Sequence, residues 1–294
     1  MKIVLIGAKG QLGNEIMKLG INSGHEFVYA DVCGDGKDIV SMDIADMDQV
    51  SAIVSEDVDV VINCAAYNEV DAAEGGEDAA MRVNASAVGH LADAALKADA
   101  LLIHFSSDYV FDGRSSVPYV EDDRTEPLNA YGRSKLAGEK AVMESGCRYM
   151  IFRTSWLYSL TGRNFFKTIA SKCAESPAIK VVADQTGTPT LAYDLAFLVM
   201  HIIDADMLDK TGLYHYSNEG TASWFDFAHE INSGLGYTCR VEPCRTDEFP
   251  RAAVRPAYSV LDKSKVKETF GLEIPYWRDS LRLLIQEYEN CQLL

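Results

Sequence analysis

Short apolar runs alternate with helix-period stretches along the first half of the chain. KIVLIG (2–7), HEFVYAD (25–31), VDVVINCAA (58–66), ALLIHFSS (100–107) and RYMIFRTSW (148–156) are brief, rich in β-formers and bounded by turn or capping residues, which predicts strands. Between them the spacing of apolar positions predicts helices over about 11–19, 46–55, 77–98 and 129–145. Strands apolar on both faces and joined by crossover helices imply an α/β fold with a doubly wound parallel sheet. IKVVAD (179–184) and GLYHYSN (212–218) read as later strands. From about residue 160 the loops lengthen, and prolines at 177, 189, 243, 250, 256 and 275 punctuate short elements. The division expected is a main domain over 1–160, to which 184–228 returns, and a smaller, less regular C-terminal domain made of 161–183 and 229–294. The smaller unit would lie over the carboxyl ends of the strands, where open α/β sheets bind their ligands.

Composition narrows the partners. A chain of 294 residues, 48% hydrophobic and 24% charged, falls within the ordinary globular range. Its formal charge of -17 repels phosphate backbones and anionic headgroups, so neither nucleic acid nor a membrane surface is expected as a partner. The apolar run at the start breaks at Gly7, too short for a signal peptide or a membrane span, and the expected location is the cytoplasm. Seven cysteines, at 33, 64, 147, 173, 239, 244 and 291, form no CxxC pair and read as reduced thiols. The histidines lie far apart, and no metal site is expected.

Gly7, Gly10 and Gly13 follow the first strand and open the first helix. Glycines there allow a tight turn and a close approach of backbone to a pyrophosphate, while the helix N-terminus supplies N–H donors. Gln11 and Leu12 lie inside that turn and share the cofactor assignment. Asp31 ends the second strand, 18 residues after Gly13, where a carboxylate can accept from adenosine ribose hydroxyls and favour NADH. Lys9 could instead neutralise a 2'-phosphate, so use of either NADPH or NADH is expected. Asp43 and Ile44 would flank the adenine or form a surface turn. Cys64, Ala65 and Ala66 close the third strand with small side chains, which suits either a cofactor lying against the backbone or close helix packing.

Tyr131 and Lys135 are four apart in a predicted helix and therefore share one face. The neighbouring ammonium is expected to lower the phenol's pKa and let Tyr131 act as an acid-base group. Ser106 and Ser107 end a sheet strand upstream, and a serine, tyrosine and lysine in that order after a glycine turn is the short-chain dehydrogenase signature. SSDYVFDG (106–113) and EPLNAYGRSKLAGEKAV (126–142) resemble the extended short-chain dehydrogenases that modify sugar nucleotides, which have a Rossmann fold. Within that class NCAAYNEVDAAE, VNA, FRTSWLY, NFFKT, DQTGTPT, GLYHYSNEGTASWFDFA and FPRAAVRPAYSVLD are similar, in order and spacing, to the dTDP-4-dehydrorhamnose reductases. The resemblance runs from Met1 to about Trp277.

That resemblance implies reduction of the C4 ketone of dTDP-4-dehydro-L-rhamnose by a nicotinamide hydride. Ser107 would hold the ketone oxygen, Tyr131 would protonate it, and Lys135 would hold the nicotinamide ribose. Asp108, Trp156, Asn68 and Val70 would face the sugar. The alternatives at these positions are a turn carboxylate for Asp108 and core packing for Trp156. Arg255 would take the substrate's pyrophosphate with its guanidinium fork or form a salt bridge. Tyr258 departs from the family's asparagine, and Ser107 from its usual threonine. Glu15 matches a magnesium position through which some family members pair, but Tyr193 stands where a second acid would be needed; no metal bridge is expected, and a homodimer stays open. Two other functions fit parts of the pattern, another sugar-nucleotide epimerase or reductase and a non-catalytic homologue like the regulatory subunit of methionine adenosyltransferase.

Overall fold

The computed structural model describes residues 1–292. Strand β1 (Lys2–Ile6) carries Ile3, Val4, Leu5 and Ile6, none more than 1% exposed. A strand apolar on both faces needs cover above and below. It pairs in parallel with β2 (Glu26–Asp31) on one side and β4 (Val60–Asn63) on the other. Among the described residues the main sheet has seven parallel strands, in the order Gly212–His215, β6 (Arg148–Thr154), β5 (Leu101–Ser107), β4, β1, β2 and β3 (Ile39–Ser41). The chain leaves β1 in one direction and later returns to its other side, so a crevice opens over the carboxyl ends of β1 and β4.

Side chains alternate across the sheet and build two cores. Ile3, Leu5, Ile62, Ile103 and Phe152 pack with Leu12 and Ile16 of α1 (Gln11–Gly20) and with Leu195 and Val199 of the helix Ala192–Asp204. On the opposite face Val4, Ile6, Val61, Leu102 and Ile151 meet Val50 of α2 (Met47–Ile53) and Leu91 and Val142 of the helices Ala87–Lys97 and Ala130–Glu144. A third cluster stands apart: Tyr158, Phe166, Phe227, Trp277 and Leu281 join the helices Phe165–Glu175, Trp224–Gly234 and Trp277–Gln292.

Several elements differ from the sequence reading. IKVVAD is a strand, as its sequence suggests, but it finds a partner to which the sequence does not point: Ala178–Val182 pairs in parallel with Arg240–Cys244 beside the third cluster. Lys180 is exposed in its middle, which suits a two-stranded edge and not a doubly covered strand. Strand β3 is three residues long, too short to show a period. Ala222 and Phe227 belong to the third cluster, while Val266, Phe270 and Ile274 pack against the main sheet. The helix expected over 77–98 is interrupted by a π turn, Arg82–Ser86. Inside that turn Asn84 accepts from the Tyr67 N–H at 2.8 Å and donates to the Tyr67 carbonyl at 3.0 Å and the Ser134 hydroxyl at 2.9 Å. It thereby ties the loop after β4 to the helix that carries Tyr131.

Candidate active site

The glycine turn is shaped by contacts that only glycine permits. Gly7 has φ +76°, and a Cβ there would stand 2.7 Å from the Ala65 nitrogen. A Cβ on Gly13 would lie 2.1 Å from the Gly7 carbonyl oxygen, so α1 packs directly on the turn. Gly10 caps α1 without a side-chain acceptor, which leaves first-turn N–H groups and the positive helix end available to an anion. These features fit a dinucleotide. Asp31 accepts from the Lys9 N–H at 3.0 Å and the Cys33 N–H at 2.9 Å, and the Lys9 ammonium donates to the Cys33 carbonyl. Both side chains are thus held at the end of β2, the carboxylate by backbone N–H groups and the ammonium by the Cys33 carbonyl. Asp43 takes the turn alternative, accepting from the Ala45 N–H at 2.9 Å, and Ile44 is buried in the core beneath α2.

Over the ends of β1, β4 and β5 lies a crevice of about 580 Å³. It gathers Gly10, Gln11 and Leu12 from the turn, Cys64, Ala65, Ala66, Asn68 and Val70 from the loop after β4, and Ser107, Asp108, Tyr131, Lys135 and Trp156. The helix Ala130–Glu144 is aimed by its caps: Asn129 accepts from the Gly132 N–H at 2.8 Å, and Glu74 from the Ala130 N–H at 2.7 Å. Lys135 is 2% exposed and donates to the Phe105 carbonyl at 2.6 Å. Burial pulls its pKa down to about 8, with Glu139, one turn along, acting the other way. Glu139 is itself held by Arg153 at 2.9 and 2.7 Å and by the Ser106 hydroxyl.

Tyr131 donates to Asn68 at 3.4 Å. Burial pushes its phenol above the ordinary value, with Ser107 opposing. Desolvation, and not the expected lowering by the Lys135 ammonium, sets the direction for this phenol, and the ammonium donates to the Phe105 carbonyl instead. Ser107 donates to Asp108 at 3.0 Å and accepts from the Tyr109 N–H at 3.1 Å. Asp108 is 2% exposed, its Oδ2 has no partner, and burial raises its pKa to about 7.

Trp156 adopts φ +47°, a strained backbone for a bulky residue, and stacks on Trp224 with centroids 3.6 Å apart and planes 9° from parallel. Gly187 makes room: a Cβ there would be 2.6 Å from the Trp156 ring. Trp224 and Tyr109 also border a second cavity of about 700 Å³. Lys172, Lys180, Arg251 and Arg255 line it, with no acidic side chain among its lining residues. Arg255 takes the salt-bridge alternative as well, binding Asp71 at 2.7 and 2.8 Å. The sequence reading gave no role to Tyr109, Trp224, Lys172 or Lys180. Trp224 had a signal, since Ser223 and Asp226 form a capping box that puts it at the head of its helix. The two lysines had none, because only the tertiary fold brings their elements together.

A hydroxyl, a phenol and an ammonium converging beside a glycine turn, at the switch point of a doubly wound sheet, make this an oxidoreductase of the extended short-chain dehydrogenase class. Residues 1–290 match the family described as RmlD substrate binding domain. A dTDP-4-dehydrorhamnose reductase of Burkholderia thailandensis is 38% identical over 98% of this chain and 99% of its own length, and that of Escherichia coli is 35% identical over 98% of each. A crystal structure of such a reductase from Clostridium acetobutylicum superposes with a TM-score of 0.92 at 40% identity, covering 98% of this chain and 100% of that one. One from Bacillus anthracis, in complex with NADP, gives 0.88 at 35% identity over 97% and 99%. The chain belongs to this family, that of the dTDP-4-dehydrorhamnose reductases.

Proposed function

We propose that the chain reduces the C4 ketone of dTDP-4-dehydro-L-rhamnose to dTDP-L-rhamnose with NADPH or NADH, a step of nucleotide-sugar biosynthesis. The observation that carries this reading is the junction of two cavities at Tyr109 and Trp224: one holds the acid-base groups, the other is lined by cations. A keto sugar in the first would leave its diphosphate and base in the second.

A bound nicotinamide supplies the hydride. As negative charge gathers on the ketone oxygen, the Ser107 hydroxyl donates to it and Tyr131 delivers a proton. A phenol pushed above its ordinary pKa by burial is protonated at neutral pH, the form a reduction needs. Lys135, anchored at the Phe105 carbonyl, would hold the cofactor's ribose, and its ammonium stabilises the phenolate left when Tyr131 gives up its proton. Asp108, Asn68, Val70 and Trp156 contact the sugar, and Arg255 the diphosphate. Gly7, Gly10, Gln11, Leu12 and Gly13 hold the cofactor's pyrophosphate with Cys64, Ala65 and Ala66 along its flank. Asp31 and Lys9, both held at the end of β2, suit either ribose, and the Bacillus anthracis relative carries NADP. In this reading residues 1–160 and the returning strand bind the cofactor, and 161–183 with most of 229–294 bind the nucleotide. The place of action is the cytoplasm, in keeping with a described structure in which no helix is long and apolar enough to cross a membrane.

The test is stoichiometric oxidation of NADPH or NADH on adding dTDP-4-dehydro-L-rhamnose. One cofactor consumed per sugar is expected. Sugar conversion without net cofactor loss would assign an epimerase, and cofactor binding without turnover a regulatory protein.

A further inference from the structure

Asp71 lies in the helical turn Val70–Ala73, beside the sugar-facing loop, and Arg255 reaches it from 184 residues away. A guanidinium has five N–H donors in a fixed plane. Nη1 gives one to Asp71 Oδ1 at 2.7 Å and one to the Ala253 carbonyl at 2.7 Å, and Nη2 gives one to Asp71 Oδ2 at 2.8 Å. The carboxylate therefore takes the end of the fork. The side-on edge, the Nε–H and the second Nη2–H, makes none of these bonds, and the Tyr109 hydroxyl interacts with this guanidinium as an acceptor that a ligand oxygen would replace. Arg255 and Tyr109 both line the cation-rich cavity. The strap carrying Arg255 is pinned twice more: the Ala253 N–H donates to Asp71 at 3.1 Å, and Asn129, the cap of the Tyr131 helix, donates to the Val254 carbonyl at 2.8 Å.

We propose that Asp71 is a positioning residue for the substrate, holding Arg255 end-on so that its side-on edge meets the diphosphate of a nucleotide sugar. This rests on the function proposed above and specifies how its anionic end is read. An acid so close to a diphosphate would lower affinity if charge alone mattered. Arg251 also lies 3.9 Å from Asp71, so the three groups together carry one net positive charge; with Lys172 and Lys180 they supply the long-range attraction, while Arg255 supplies directed donors.

The sign of the effect of Asp71→Asn decides the matter. With the fork released, the dissociation constant of dTDP and the KM for the nucleotide sugar should rise about tenfold, the scale of one well-aligned charged contact, while kcat and NADPH affinity change less than about twofold. Arg255→Lys, which keeps the charge and removes the fork, should produce the same tenfold loss; it carries the test if Asp71→Asn fails to bind NADPH and so fails to fold. Equal or tighter dTDP binding by Asp71→Asn would overturn the proposal, because the carboxylate would then be a competitor for Arg255. A parallel fall in kcat and NADPH affinity in both variants would also overturn it, leaving a purely structural clasp. Calorimetric titration with dTDP needs no turnover, so an inactive wild-type protein would count against the proposed reaction and leave this measurement readable.

Discussion

Tyr131 and Asp108 line one crevice, and desolvation there pushes both toward their protonated forms, with different consequences. The phenol ordinarily titrates far above neutrality, so the push keeps it loaded as a proton donor. Tyr131→Phe should lower kcat on the order of 10²- to 10⁴-fold in steady-state kinetics while NADPH affinity is retained. Retained turnover would remove Tyr131 from proton transfer. Asp108 is brought to about 7 from an ordinary 3.8, and so changes charge near neutrality. Between those values the folded chain keeps a proton that the unfolded chain has lost, and the group's contribution to stability is lost as pH rises through about 7. Asp108→Asn keeps an acceptor for Ser107 and should raise Tm more at pH 8 than at pH 5 by calorimetry; equal gains at both would show that the carboxyl does not titrate there. At this scale the sequence showed which residues gather, because Ser107, Tyr131 and Lys135 sit at strand ends and helix positions with fixed directions. It did not show the direction of the phenol's shift, since four-residue spacing reveals the ammonium but not the loss of water or the Phe105 carbonyl that holds Lys135.

Among the elements, α1 and its turn tolerate the least change. A methyl on Gly13 would meet the Gly7 carbonyl oxygen at 2.1 Å, and neither backbone segment can yield without lifting α1 from the sheet. Gly13→Ala should weaken NADPH binding more than tenfold by fluorescence titration, since a displaced helix end misaligns donors that act only at short range. Gly75→Ala, whose new methyl would meet only the Ala72 oxygen at 3.9 Å, should bind as the parent does. Elements with strong local patterns were legible: β1, β4 and β5 as short, mostly apolar runs, and the Tyr131 helix through the spacing of its apolar positions. Ala192–Asp204 is apolar nearly all round, buried between α1 and neighbouring elements, and an apolar run of that kind fits strand and helix alike. IKVVAD read as a strand from its apolar residues, but its partner, Arg240–Cys244, comes 58 residues later and no local signal links them.

Over the whole molecule, the charge of -17 and the cation-lined cavity act at different ranges. Screening confines exposed charges to about 10 Å at 0.1 M salt, so a ligand inside the cavity feels mainly Lys172, Lys180 and the Arg251–Asp71–Arg255 group, a net positive set. Replacing Lys172 and Lys180 together by glutamine should weaken dTDP binding about three- to tenfold in calorimetry and leave NADPH binding as it was. An equal loss for both ligands would mean that the cavities do not divide the labour. The global charge read from composition argued against nucleic acid and membrane surfaces as partners, yet it could not reveal a local reversal assembled from separate elements.

The stacked indoles at that boundary carry a further consequence. Two indole rings with centroids 3.6 Å apart and planes within 9° of parallel are close enough for their electronic transitions to couple, so Trp156 and Trp224 should absorb and emit differently from the separate, buried Trp277. Whatever slides between the crevice and its neighbour must brush against them. The protein thus has a native optical gauge of occupancy, read from near-ultraviolet dichroism or emission without any attached dye.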